Sequence, residues 1–533
     1  MNIRNLPISF VSVRSHSGCI GQLGLWEEPV STNETKAATN GKGLQKGTIG
    51  IFGIVFFVIA AAAPLAGMTG AVPVAIVLGS GAGAPGAYLL VGLVLALFSV
   101  GYAAMTHRVT NAGAFFAYVG RGLGKNAGVG SAFVSMVAYL TVQWAVYGFF
   151  GAIAAGQMAA QFGIDFPWYV WSLLAVVIAT VLSILRVDVG AKVLGVLMIA
   201  EIVSMLIAGI AALIDGGPEG WNLAASFSPS SIFAGGLLGT AGIAFAFAFA
   251  SFIGFEATAI YGEETKDPKR SVPRATYLAV GIITAIFAIV SFGMVTAMGA
   301  SEAVNKTVEW SSVDGVPLAN PANVLITVAN QSVGTWLGTI IGWLILTSLF
   351  AATVAFQNSA SRYLFALGRG GVLPESMAKV NGRGAPQNAS IVTTVLSILV
   401  ILYFQLNGLD PILNLFYWMS GLAVIAIVLV EIMVSIAVIA FFSKNAEGEG
   451  VFTRLVAPLL GLVGLAFGLY LLMSRFALLA GTTAPDVDPT VTAWAQSMTG
   501  TVLMAIPFIA LVIGYLIGVA RKENESAIKD LVS

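Results

Sequence analysis

The chain is 533 residues long, 58% hydrophobic and only 9% charged, with a mean hydropathy of +0.91 and a formal net charge of zero. Soluble domains carry about 25% charged residues, so the composition excludes a soluble globule and reads as an all-α polytopic membrane protein, while the balanced charge gives no basic surplus for a nucleic-acid partner. Cys19 is the sole cysteine and His16 and His107 the sole histidines, all outside the apolar runs, so no disulfide, metal site or cofactor is expected.

Residues 1–47 are rich in Ser, Thr, Asn, Gly and Lys and read as a disordered cytoplasmic tail; FVSVRSHSGCIGQLG, within its first thirty residues, carries no assigned role. A membrane domain is expected over 48–520. It holds twelve apolar runs of the length that crosses a hydrocarbon core of roughly 30 Å: Ile49 to Leu78, Gly86 to Thr106, Ala127 to Ala159, Trp168 to Leu185, Gly190 to Leu213, Phe233 to Gly262, Arg274 to Met298, Trp336 to Leu367, Ala389 to Phe404, Leu413 to Phe442, Leu455 to Met473 and Gly500 to Val519. No ten-residue alternation of an outer-membrane barrel appears. With the N-terminus inside, every one of the 25 basic residues except Lys306 and Arg475 falls on the inner side, as basic residues do in inner-membrane proteins. Residues 521–533 form a second cytoplasmic tail. The loop at 299–334 is long enough to act as a lid over an outer vestibule.

Run one contains AAAAPLAGMTGAVP, with Pro64, Gly67, Gly70 and Pro73 at mid-membrane depth. Proline removes a helix hydrogen bond and clashes with the preceding turn, so a break is expected there. Run six contains SFIGFE, a glycine between aromatics followed by a carboxyl inside hydrocarbon, and reads as a second break. The breaks fall in the first helix of each of two five-helix halves, about 49–213 and about 233–442, leaving two C-terminal helices over about 455–519. Runs five and ten echo each other as well, AEIVSMLIA around Glu201 and VEIMVSIAV around Glu431. An odd helix count per half places the halves in opposite orientations.

Freed N–H groups at the positive end of a half-helix bind a carboxylate, and freed carbonyls accept from an ammonium. Candidate substrate residues are therefore Pro64, Leu65, Ala66, Gly67, Met68, Thr69 and Gly70 in the first break. In the second they are Phe249, Ala250, Ser251, Phe252, Ile253, Gly254 and Phe255, with Phe252 either a gate over the ligand or simple packing. An acid at helix centre costs roughly 2.5 to 3.5 kcal/mol if ionised. Glu256 therefore carries a coupling proton, pairs with a cation, or caps a helix. Glu201, with Thr347 and Ser348 of run eight, forms a group able to bind Na⁺ or shuttle a proton; Glu431 reads equally as structural. In the hinge EETKDPKRSVPRA, Glu263 and Glu264 can pair with nearby bases or with Arg362 to hold an inner gate, though each exposed pair is worth only about 0 to 1 kcal/mol.

Three stretches, VTNAGAFFAYVGRGLG, GFEATAIYGEETKDPKRSVPRA and FQNSASRYLFALGRGGVLP, stand in the order found in the amino acid-polyamine-organocation permeases, and over about 48–520 the chain resembles that family. The resemblance implies the leucine-transporter-type fold with its 5+5 inverted repeat, and secondary transport of amino acids or related amines by proton symport or exchange. It carries the substrate site onto Pro64 to Gly70 and Ala250 to Phe255, with Glu256 at the signature acid. The chain departs from the family pattern twice. PLAGMTG replaces a compact glycine cluster, and Glu201 stands where several members have a lysine, leaving proton and Na⁺ both open as the coupling ion. The expected partners are an amino acid or amine, the coupling ion and the lipid bilayer, with no obligate protein partner. A polyamine importer or an antiporter is the alternative within transport. A channel and an enzyme fit less well, because broken helices suit alternating access and the runs hold no catalytic cluster.

Overall fold

The computed structural model describes residues 50–106, 108, 115–185, 189–236, 239–260, 265, 267–444, 446 and 448–521. The N-terminal tail, residues 522–533 and the hinge acids Glu263 and Glu264 lie outside them. Among the described residues the fold is all-helical, and eleven helical stretches are long and apolar enough to cross a membrane. The first, Gly53–Thr106, runs for 54 residues, more than twice the roughly 20 that one crossing needs. Gly79 interrupts it (φ −111°, ψ −113°) and Gly81 follows in the left-handed region (φ +57°).

In chain order the long elements begin with α1 (Ile51–Ala62), α2 (Pro64–Val74), α3 (Ala84–Thr106), α4 (Phe115–Leu123), α5 (Lys125–Phe162), α6 (Trp168–Leu185) and α7 (Val189–Asp215). Two short helices, α8 (Leu223–Phe227) and α9 (Pro229–Ile232), lead to α10 (Ala241–Phe252) and α11 (Ala257–Ile260). The sequence expectation starts run six at Phe233, but its helix begins only at Ala241. Gly235 and Gly236 adopt φ of +77° and +78°, which a continuing helix cannot contain.

After α12 (Pro268–Met298), the long outer loop is itself helical, with α13 (Ala303–Ser311) and α14 (Ala322–Ser332). α14 packs against α2, α7 and α15 (Thr335–Arg369), burying Val324, Leu325 and Val328. Tyr417 anchors the loop by donating to the Leu318 carbonyl at 3.2 Å. The chain closes with α16 (Gln387–Leu406), α17 (Tyr417–Lys444), α18 (Ala457–Ser474), α19 (Phe476–Ala480) and α20 (Met498–Ala520).

One layer of the bundle is stitched by neutral polar groups. Gln143 on α5 donates to Gln357 Oε1 on α15 at 2.6 Å, and Gln357 Nε2 reaches Thr393 Oγ1 at 2.7 Å and the Ser390 carbonyl at 3.0 Å on α16. Ser183 on α6 donates to Asn358 at 2.8 Å, and the hydroxyls of Thr180 and Thr394 lie 2.7 Å apart. In hydrocarbon the alternative to each bond is an unsatisfied polar group. These contacts tie α5, α6, α15 and α16 into one frame, and α1 and α2 pack against its α15.

Candidate functional site

Pro64 sets the first break. Its ring cannot donate and disfavours helical backbone in the residue before it. Ala63 accordingly sits at φ +42°, ψ +66°, closing α1 with its N–H on the Ile59 carbonyl at 3.0 Å. No side chain caps α2. The Gly67 N–H is taken by the Ala63 carbonyl at 3.0 Å and Pro64 has none, so Leu65 and Ala66 supply the N–H groups left over in the first turn. Thr69 turns its hydroxyl back onto the Leu65 carbonyl at 2.7 Å, and Met68 is fully buried.

A carboxylate holds the second break. α10 stops at Phe252, Ile253 leaves the helical region (φ −56°, ψ 124°), and Gly254 takes φ +117°. The Gly254 N–H donates to Glu256 Oε2 at 2.9 Å, Tyr139 on α5 donates to Glu256 Oε1 at 2.7 Å, and Tyr102 on α3 donates to the Glu256 carbonyl at 2.7 Å. Glu256 thus acts as a cap and an inter-helix tie, with both carboxyl oxygens engaged. The Ile253 N–H goes to Ala250, one residue short of a regular α-helical bond, so at this end of α10 the carbonyls of Phe249 and Ser251 lose their regular helical partners.

The two breaks cross. A Cβ on Gly254 would stand 2.8 Å from the Ala61 Cβ, and one on Gly67 would stand 3.1 Å from Ser251 Oγ and 2.7 Å from the Phe287 ring. At the crossing lies a cavity of about 60 Å³, room for a handful of waters by the usual measure of about 10–15 Å³ each. The first break contributes Ala61, Ala62, Ala63, Ala66, Gly67 and Ala71 to its wall, and the second contributes Phe247, Ala250, Ser251 and Ile253. Residues with no signal in the sequence complete it: Val142, Val146 and Phe149 of α5, Leu349, Ala352 and Phe356 of α15, and Phe416 and Ser420 at the start of α17. The polar residues of those runs, such as Gln143 and Gln357, bond to neighbouring helices, so no polar periodicity marks the face turned to the cavity.

Other candidates stand elsewhere. Phe252 is buried but off the cavity wall, its ring 6.3 Å from that of Phe287, which stacks on Tyr88 at 4.8 Å. Phe249 packs on Gly468 of α18, and Phe255 meets Phe98 edge-on at 6.1 Å. Gly70 lies against Phe149 and Phe416, behind the wall. Glu201 is buried on α7 with its carboxyl 3.1 Å from the Thr347 hydroxyl, which also lies 2.9 Å from the Leu344 carbonyl. Ser348 is buried beside Thr347 in sequence, and none of these three lines the cavity. Glu431 is buried on α17, and Arg362 is half-buried on α15. Arg108 pairs with Glu449 at 2.8 Å and lies over the Phe442 ring.

Comparison with known proteins places this geometry. The family model for amino acid permeases matches residues 53–527. The branched-chain amino acid permease BcaP of Lactococcus lactis is 23% identical over 63% of this chain and 71% of its own length. The aromatic amino acid transport protein AroP of Escherichia coli is 25% identical over 65% of this chain and 72% of its own. The D-serine/D-alanine/glycine transporter of E. coli is 26% identical over 52% and 59%. With the match running through both interrupted helices and on into α20, the chain is a multi-pass membrane protein that belongs to the amino acid permease family.

Proposed function

We propose that this protein imports amino acids across the plasma membrane by proton symport or exchange, through alternating access around the cavity where the two interrupted helices cross. That crossing carries the reading, since residues of both breaks form the wall of one small space. The N–H group of Ala66 takes the substrate carboxylate, and the carbonyl of Ser251 takes its ammonium. Phe247, Phe356 and Phe416, rather than Phe252, close over it.

The fold reading is a leucine-transporter-type arrangement of twelve crossings, the stretch Gly53–Thr106 counting as two because it breaks at Gly79. Two five-helix repeats of opposite orientation are followed by two further helices, with both termini in the cytoplasm. For coupling, the Thr347 hydroxyl has one hydrogen and two partners, Glu201 and the Leu344 carbonyl. The hydroxyl donates toward both, so its bond to Glu201 strengthens if Glu201 carries a proton and donates in turn. This favours H⁺ over Na⁺.

The test is uptake of labelled amino acids into proteoliposomes, under an inwardly directed proton gradient in one arm and a sodium gradient in the other. Proton-driven accumulation is expected, with Glu201→Gln retaining exchange but losing accumulation. Accumulation driven by sodium alone would move the coupling role away from a proton on Glu201, and failure to move any amino acid would sink the transport reading.

A further inference from the structure

Family membership leaves the side-chain class of the substrate open, because the relatives are named for branched-chain, aromatic and small D-amino acids. The wall of the cavity narrows it. We infer that the compartment beyond the two breaks accepts only small, neutral, aliphatic side chains, in the range from alanine to leucine. This inference rests on reading the cavity as the substrate site.

The compartment is bounded by Val142, Val146, Leu349, Ala352, Phe149 and Phe356, and among the described residues its side-chain hydroxyls are those of Ser251 and Ser420. Ser251 already spends its hydrogen on the Phe247 carbonyl at 2.8 Å. Among the described residues none that lines it is ionisable. The buried acids are elsewhere, and Glu256 has both oxygens committed to Gly254 and Tyr139. A lysine or glutamate side chain entering here would bring a charge into an apolar wall with no counter-charge, the arrangement that burial penalises most. A diamine fails for the same reason at its distal end. Size excludes the other extreme. The cavity is small, about 60 Å³, which favours short aliphatic side chains over an indole. Of the four phenylalanines on its wall, three are packed on one another or on Tyr417, Phe149 stacking on Phe416 at 4.8 Å and Phe247 meeting Tyr417 edge-on at 5.9 Å, while Phe356 packs on Tyr139 at 6.5 Å. An indole would have to displace these packed rings.

The experiment is a competition panel on the wild-type protein in proteoliposomes, with labelled alanine as tracer. Unlabelled alanine, valine and leucine are expected to abolish uptake, while a hundredfold excess of lysine, glutamate, tryptophan or putrescine leaves at least half of it. Direct uptake of labelled lysine and glutamate should stay at the level of empty liposomes. Ala352→Leu narrows the compartment, so leucine should lose at least tenfold in competition while alanine loses less; Phe356→Ala widens it and should admit phenylalanine. Transport of lysine, glutamate or putrescine at rates like that of alanine would overturn the inference while leaving the permease reading intact. Absence of transport for every amino acid tried would instead remove the permease reading and this inference with it.

Discussion

The two breaks solve the same problem by opposite means. At α1–α2 the interruption is intrinsic to the backbone: Pro64 forces it, Ala63 absorbs it at φ +42°, and no side chain caps the new helix. At α10–α11 it is held by side chains: the break's own Glu256 grips the Gly254 N–H and a tyrosine from α5, with a second tyrosine from α3 on its carbonyl. The first therefore leaves donors unused, and the second uses up its donor and leaves carbonyls. This asymmetry matches a zwitterionic ligand, which needs donors at one end and acceptors at the other. It also locates fragility, since the second break depends on three helices staying in register and the first on its own residues alone.

Gly254→Ala should strike hardest, because it combines a left-handed backbone, worth about 1–2 kcal/mol, with a Cβ driven to 2.8 Å from Ala61, an overpacking worth about 1–3 kcal/mol. A clear drop in the thermal unfolding midpoint of the purified protein is expected, and an unchanged midpoint would mean that the breaks do not press on each other. Next comes Glu256→Gln, which keeps an acceptor for Tyr139 but turns an amide nitrogen toward the Gly254 N–H. One buried donor is orphaned, at about 1–3 kcal/mol. If stability and transport both survive, the second break is not held by its carboxylate. Tyr102→Phe deletes a single bond and should cost about 0.5–1.5 kcal/mol, visible as a smaller shift in the same melt. Ala63→Gly is the counter-case. Relief of strain at φ +42° offsets the extra freedom of the unfolded chain, so the midpoint should move by less than the equivalent of about 1 kcal/mol, in contrast to the losses at the second break.

How much of this could be read from the residues alone follows from the same contrast. Proline and glycine act on their own backbone, so Pro64 and Gly254 announce the breaks in one dimension. The apolar runs announce the membrane because hydrocarbon constrains each residue separately. Glu256 is visible as an anomaly, but its partners Tyr139 and Tyr102 lie in other runs, over a hundred positions away, and nothing local connects them. Phe252 and Phe149 illustrate the limit. Both are aromatics in apolar helices, yet Phe149 meets the cavity and Phe252 does not, a difference decided by helix rotation. In a run apolar on most sides no hydrophobic face stands out to fix that rotation. The outer loop is a similar case. Expected only to be long enough for a lid, it contains two helices, and α14 buries Val324, Leu325 and Val328.

The polar frame of α5, α6, α15 and α16 is made of amides and hydroxyls. A transmembrane voltage does work on net charge, about 2.3 kcal/mol per elementary charge per 100 mV, and on neutral hydrogen-bonded pairs it does almost none. An energised membrane therefore leaves this frame undistorted. The electrical work falls on whatever charge travels past it, the ion or the substrate.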